Sequence, residues 1–590
     1  MLELLPLGLL LSSGVGTVIS KRLWVGKIGV VCSVLLFVLQ LFFKQNCLKF
    51  NWFNFIDYEF NFSFNFGQIE ILLCLIINII LICLYYTIPA LSFEKDVQRK
   101  FGILNIFIFF MCIAILSNNI FQFYISVEAL GLISAFLVSV ERNAEEKATR
   151  VFVFNKFASI LFLIGIALLV TETKSFEISE ICQKGLPVLP AGLLLIACFC
   201  KGAQMPFSYW LIDAVKANIL ASILIHAGTI VTIGIIFIAK FHFIFGQFLI
   251  LKQAMIVVGV LTPLWMGCCA LAHSNIKKTI ACLTASSAGV MFISCGLGAY
   301  STAILYLICH AFFKSMLFLA FAYLIAAMSG EKNIHCMGNV AKVAPKVADV
   351  IWISFLFASG FPFLAEFFSK VALSSVLQSS SSELLAAGIT AVSLLNVVAI
   401  FRMIMKSLYG EQRSDEMTFS RASKSNEFNF KPFWILATIT LFLSFAIWDI
   451  YKHGALGFGN VGMNYNANNY LRDSLYSLFQ IIIAIFTVIV FDKWIQNRFF
   501  DKIALLMRQR KGYGICTTAI TILVTKCAKG FNSLQQRIAY MENIKTFKAV
   551  HYAGTFLKSI HRDHFQYHIS WVLFGVVTCI IMGIFRGILH

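Results

Sequence analysis

The sequence predicts an all-α polytopic membrane protein of about sixteen transmembrane helices, with inverted repeats and broken helices. Three observations lead there. Apolar residues make up 59% of the 590-residue chain and charged residues only 13%, with a mean hydropathy of +0.84, whereas soluble domains carry roughly twice that charge. Apolar runs of roughly 20 residues, enough to cross about 30 Å of hydrocarbon as a helix, recur along the whole length. The short alternating segments of a membrane β-barrel do not occur.

The candidate helices lie near 3–20, 24–43, 70–93, 101–117, 119–140, 150–171, 190–208, 218–240, 247–272, 279–299, 301–328, 348–371, 384–409, 432–450, 474–492 and 568–589. The first run is followed, not preceded, by Lys21 and Arg22. That is the pattern of a retained helix with its N-terminus outside rather than of a signal peptide. In this orientation the inside loops collect Lys95, Arg99 and Lys100, then Arg142, Lys147 and Arg150, then Lys277 and Lys278. Lys332, Lys342, Lys346, Arg413, Arg421 and Lys424 follow, while the outside loops near 116–119 and 372–383 hold no basic residue. The formal charge of +19 is therefore explained by topology rather than by nucleic acid.

Two segments are not membrane spans. Residues 44–69 are aromatic and Asn-rich and read as an outside loop with some β character. Residues 498–566 are basic, opening with Arg498, Lys502, Arg508, Arg510 and Lys511 against Asp501. They read as an amphipathic lateral segment on the inner face, lying either on anionic lipid or along neighbouring subunits. The chain thus divides into N-terminal helices (1–99), a core (100–410), additional helices (411–497), the lateral segment (498–566) and a last span (567–590). This layout places the chain in a membrane as a multi-pass protein.

Cofactor motifs are wanting. The seventeen cysteines include no C-x-x-C, and Cys198, Cys200, Cys268 and Cys269 sit inside apolar runs as small packing residues. Gly457-Phe-Gly-Asn-Val-Gly462 matches a dinucleotide pattern without the βαβ unit that would give it meaning. No cofactor and no metal are expected in this chain. Met205-Pro206-Phe207 and Phe361-Pro362-Phe363 echo one another in apolar runs, each near a lysine, Lys201 and Lys370. Transporters built from inverted repeats interrupt their helices in this way.

Charge inside a membrane is costly and marks function or a buried partner. Glu128, Lys156, Lys201, His226, His310, Lys314 and Lys370 all fall in or at the ends of apolar runs. Each has a plainer account: a paired helix-end carboxylate for Glu128, snorkelling for Lys201, a position near the helix start for Lys156, packing for His226, and a helix end for Lys370. His310 and Lys314, one helical turn apart, share a face and are hardest to explain by packing. One acid, several lysines and two histidines on separate helices suit a proton path. Burial and a nearby carboxylate move a lysine's proton affinity in opposite directions, so making or breaking a Glu–Lys pair switches the lysine between holding and releasing a proton.

These residues lie in the strings Val127-Glu128-Ala-Leu-Gly-Leu-Ile-Ser134, Lys201-Gly-Ala-Gln-Met-Pro-Phe207, Ser222-Ile-Leu-Ile-His226-Ala-Gly-Thr229, Asn275-Ile-Lys-Lys-Thr-Ile-Ala281, His310-Ala-Phe-Phe-Lys314-Ser-Met-Leu-Phe318 and Phe367-Phe-Ser-Lys370. In order and spacing they resemble the antiporter-like subunits of NADH:quinone oxidoreductase, subunit L above all, over about 100–410. The resemblance implies that Glu128 and Lys201 are the coupled pair of an inner half-channel, with Lys156 as basic partner to Glu128. It implies that His226, His310 and Lys314 form a central hydrated axis and that Lys370 is the exit. It also implies a lateral helix and partner subunits that carry the NADH, flavin and quinone chemistry. The sequence departs from the family pattern at several places. Val127 replaces a Trp, Asn218-Ile219-Leu220 replaces Pro-Thr-Pro, and Tyr306 replaces a His. Ser159 and Val371 stand where acids are usual. Three readings follow: a proton-translocating complex I subunit, a subunit of a multisubunit sodium/proton antiporter, and a non-conducting paralogue that keeps the fold.

Overall fold

A computed structural model describes residues 2–42, 47–55, 58–91, 96–141, 144–182, 187–380, 382–452 and 467–497. The expected lateral segment 498–566, the last span 567–590 and the Gly457–Gly462 motif lie outside the described residues. The chain opens with α1 (Leu5–Ser20) and α2 (Leu23–Gln40), then a hairpin of β1 (Cys47–Phe55) and β2 (Tyr58–Asn65). Next come α3 (Gln68–Thr87), α4 (Val97–Leu116), α5 (Ile120–Ser139), α6 (Glu145–Thr173) and the short α7 (Ile178–Ile181). The core continues through α8 (Val188–Lys201), α9 (Tyr209–Ala214), α10 (Ile219–Ala227), α11 (Ile230–Lys240) and α12 (His242–Gly246). After α13 (Leu249–Ala272), α14 (Ile276–Gly296) and α15 (Tyr300–Ala327) come α16 (Val340–Val343), α17 (Pro345–Ser359), α18 (Ala365–Ser380) and α19 (Glu383–Leu408). α20 (Glu416–Ala422), α21 (Lys431–Lys452) and α22 (Ala467–Asn497) complete the described helices.

Among the described residues eleven spans are long and apolar enough to cross a bilayer, or twelve if the bent pair running into α21 counts as one. Of the expected sixteen runs, 568–589 lies outside the described residues and 432–450 counts only with the bent pair; four others are shorter or broken, of which 218–240 still counts as one span. α1 and α8 are shorter, at 16 and 14 residues. The run read as one helix over 348–371 is two, α17 and α18, separated at Gly360–Leu364. The run 218–240 breaks at Gly228-Thr229 into α10 and α11.

The spans are all helical, and the segment 44–69, expected to have some β character, forms a hairpin. β1 and β2 pair antiparallel, with Phe50 opposite Phe62 and a register shift between Asn51 and Phe53. Alternation of Phe with Asn favours a pleated ribbon with one greasy face. That ribbon docks on the turn between α4 and α5. The Asn118 amide donates to the Ser63 carbonyl at 2.8 Å, and the Ser63 amide donates to Gln122 Oε1 at 2.7 Å.

α10, α11, α14 and α15 form the centre and are buried on all sides, as helices surrounded by other helices are. Small residues set the spacing. A Cβ on Gly259 of α13 would lie 2.8 Å from the Gly289 carbonyl of α14, and one on Gly289 would lie 2.5 Å from Pro263. The two backbones touch because neither position carries a side chain. Several inside-loop charges are in fact tucked into helix ends. Lys100 pairs with Glu141 at 2.6 Å. Arg150 of α6 binds both oxygens of Asp213 on α9, at 2.6 and 3.3 Å. Lys277, expected in a loop, begins α14 and is buried.

Candidate functional site

Helix breaks free backbone carbonyls, and inside a bilayer each must find a donor. At three breaks a side chain supplies it. Trp210 Nε1 donates to the Cys200 carbonyl at the end of α8, at 2.8 Å. His310 Nε2 reaches the His226 carbonyl at the end of α10, at 3.4 Å. Lys370 Nζ donates to the Ser359 carbonyl at the end of α17, at 2.8 Å. Two of the three donors are residues that the sequence singled out.

The first cluster joins α5, α6 and α8. Glu128 forms a salt bridge with Lys156. Lys201, the last residue of α8 and buried, donates instead to Asn155 Oδ1 at 3.3 Å and Ser159 Oγ at 3.2 Å. Glu128 and Lys201 were expected to be coupled; the direct partner of Glu128 is Lys156. Adjacent residues of α6, Asn155 and Lys156, hold the two. Ser159, where the family pattern has an acid, serves as a neutral acceptor for Lys201. Gly131, one turn after Glu128, lines the same spot, since a Cβ there would stand 3.3 Å from Lys201 Nζ.

The second cluster joins α10 and α15. His310, Lys314 and Phe318 recur at every fourth position and form one stripe on α15. The His226 ring stacks on Phe318, with centroids 5.3 Å apart. Both His226 ring nitrogens and His310 Nδ1 are buried without a hydrogen-bond partner among the described residues. A buried polar atom left unpaired costs about 1–3 kcal/mol, and three of them meet at this one spot. Lys314 is buried beside the Phe313 ring, 5.6 Å from its centroid.

The third cluster lies at the α17/α18 break. Lys370 is 3.7 Å from Glu366, one turn earlier on α18. Glu366 Oε2 is buried and unpartnered. The sequence reading assigned Glu366 no role, although its place four residues before Lys370 was the available signal. It also missed that the Lys277 ammonium turns inward to the Ala217 carbonyl at 2.6 Å, just before α10. Beyond Lys370 a cavity of about 660 Å³ opens between α18, α19 and α22. The cysteines behave as packing residues: Cys198, Cys200 and Cys269 are buried thiols and Cys268 is half-buried.

The described residues thus form a helical membrane domain with three broken spans and ionisable groups at or facing their breaks, an antiporter-like architecture. Residues 117–395 match the family described as NADH:quinone oxidoreductase/Mrp antiporter, transmembrane. That segment is a domain of this family, and the chain is a distant homologue of subunit L and chain 5 of the oxidoreductase. It is 27% identical over 444 residues to NADH-quinone oxidoreductase subunit L of Rickettsia typhi, covering 72% of this chain and 66% of that protein. It is 30% identical over 336 residues to NADH-ubiquinone oxidoreductase chain 5 of Dugong dugon, covering 56% of this chain and 55% of that one. The Mrp complex from Dietzia sp. DQ12-45-1b shares the fold, with a TM-score of 0.68 at 18% identity over 90% of this chain and 62% of that chain. The matches thus span less than two thirds of the length of these relatives.

Proposed function

We propose that the chain is a proton-translocating membrane subunit of NADH:quinone oxidoreductase, driven by redox chemistry in partner subunits that hold the cofactors. The observation that supports it is the series of buried and half-buried ionisable groups along the membrane helices, some at helix breaks and some facing them: Glu128, Lys156 and Lys201, then His226, His310 and Lys314, then Lys370. Protons enter at the Glu128 cluster and pass the central histidines and Lys314 through bridging water. They leave by Lys370. Lys156 is held by one carboxylate, Lys201 by neutral acceptors and Lys370 by one of each, so a small movement of a neighbouring helix changes the proton affinity of these three. The halves of the path follow from the chain itself. The five spans from α4 to α11 and the five from α13 to α19 each break in their fourth member, at α8/α9 and at α17/α18. Because five is odd, the second series runs through the membrane in the opposite sense, as in inverted repeats.

The likeness to the Mrp complex favours a second reading, a sodium/proton antiporter subunit. Purification of the tagged protein from its native membrane in mild detergent, with mass spectrometry of its companions, separates the two. NADH- and quinone-binding companions are expected. Recovery of small membrane subunits alone would move the assignment to the antiporter.

A further inference from the structure

The family pattern has an acid immediately after the last lysine, and here that position is Val371. The structure brings a carboxylate to the same place from elsewhere. On α18, Lys370, Ser374 and Gln378 recur at every fourth position and form a polar stripe along one side of the 660 Å³ cavity. On α22 the facing stripe is Asp473, Ser477 and Gln480. Ser374 Oγ has its one proton within reach of two acceptors, the Val371 carbonyl at 2.9 Å and Asp473 Oδ2 at 3.2 Å, and Arg472 Nε donates to Asp473 Oδ1 at 3.2 Å. The Arg472 side chain is 53% exposed and that of Asp473 13%. The carboxylate therefore sits at the inner edge of the mouth and the guanidinium outside it. α19 closes the third wall, with Thr390 bonded to Tyr476 at 2.6 Å and Ser393 to Gln480 at 3.0 Å. A space of this size holds on the order of 20 waters at about 30 Å³ each, and its walls offer them partners.

We infer that Asp473 of α22 is the release group of the Lys370 exit, replacing from another helix the acid that α18 lacks at Val371. The inference rests on the proton-path reading. The step balances simply. The Lys370 ammonium gives a proton through water and the Ser374 hydroxyl to the Asp473 carboxylate, leaving a neutral amine. The carboxylic acid passes that proton to outside water and returns to the anion that Arg472 neutralises. The amine is reprotonated from the Glu366 and Lys314 side. A carboxylate at the mouth of a hydrated cavity exchanges protons with outside water faster than an ammonium buried behind it, so it shortens the slowest hop.

The test is proton transport by the whole assembly in sealed native-membrane vesicles, with the amount of chain in the membrane checked for each variant. Asp473→Asn is expected to slow transport about tenfold. Adding Val371→Glu to it is expected to restore at least half the rate, because the acid is then supplied from α18. A wild-type rate in Asp473→Asn, or a double variant no faster than the single one, overturns the inference. Should Val371→Glu itself fail to fold, Asp473→Cys gives the same answer in folded protein. Alkylation by iodoacetate installs a carboxylate and should restore transport, while iodoacetamide installs a neutral group of similar size and should not. Equal effects of the two reagents overturn the inference. Lys201→Met is run beside these. Unchanged transport in Lys201→Met defeats the path as a whole, whereas a slow Lys201→Met with a normal Asp473→Asn defeats the Asp473 assignment alone.

Discussion

Lys201 of α8 donates to Asn155 Oδ1 of α6 at 3.3 Å, and the next residue along α6, Lys156, holds Glu128 of α5. One segment of one helix therefore governs both ionic groups of the inner cluster. A shift of α6 by a fraction of a turn exchanges partners between them. The coupling proposed for Glu128 and Lys201 would run through this support, since no contact between the two is found among the described residues and both bind neighbouring residues of α6.

Removing the carboxylate tests that coupling. Glu128→Gln leaves Lys156 without its counter-ion. Proton transport should fall on the order of tenfold. Stability should fall by only about 1 kcal/mol, because both side chains are partly exposed. The double variant with Lys156→Met should be no slower than the worse single variant, since residues acting as a unit do not add. Vesicle proton uptake in the four proteins gives the cycle directly.

Ser159 gives a variant of the opposite kind. Ser159→Asp puts a carboxylate against the Lys201 ammonium, which Ser159 Oγ now meets at 3.2 Å. The lysine then holds its proton more tightly, and transport should slow several-fold, roughly in line with the stronger pairing. Ser159→Ala, which removes one of two neutral acceptors, should change the rate by about twofold at most.

Gly360 fixes the exit lysine. Its φ is +82°, and a Cβ there would stand 2.5 Å from Lys370 Nζ. Gly360→Ala should lower stability by about 1–2 kcal/mol from the left-handed backbone and should push the ammonium off the Ser359 carbonyl. A lower thermal midpoint together with slowed transport is expected. In a Lys370→Ala background the midpoint loss should persist while transport, already lost, does not change further.

His273, in the loop after α13, gives a pH signature. Burial, then the nearby Lys278 charge, push its imidazole down to about 4 from an ordinary 6.5. Its neutral form is the folded form, so the unfolded chain binds the extra proton between those values. Stability is full above pH 6.5 and declines as pH falls towards 4. The loss at pH 5 should reach up to about 2 kcal/mol. Thermal midpoints at pH 7.5 and pH 5 should converge in His273→Asn, and an unchanged difference would remove His273 from the account.

The spans were legible because about 20 apolar residues in a row have few alternatives to crossing a bilayer. The ionisable line was legible for the same reason, since a Lys201 or a Lys314 inside such a run stands out. The breaks were harder. Gly360-Phe361-Pro362 interrupts α17 and α18, yet the Phe and Leu residues around it keep the run apolar, so 348–371 reads as one helix. The hairpin showed only as β character, because pairing of Phe50 with Phe62 is a tertiary choice. Lys277 was counted as a loop charge because sequence gives the position of a lysine but not the direction of its side chain. Glu366 was within reach through its spacing from Lys370, whereas Asp473 lies 99 residues from Ser374 and only folding brings them together.

The most direct measurement is proton uptake by sealed vesicles carrying the assembled complex with Lys314→Met, a change that keeps length and bulk while deleting the charge at the centre of the line. The protein should assemble normally, because Lys314 forms no salt bridge within 4 Å among the described residues. Uptake attributable to this subunit should then disappear, as it should in Lys201→Met. Wild-type uptake in both variants, with assembly confirmed, would contradict a proton path through these residues.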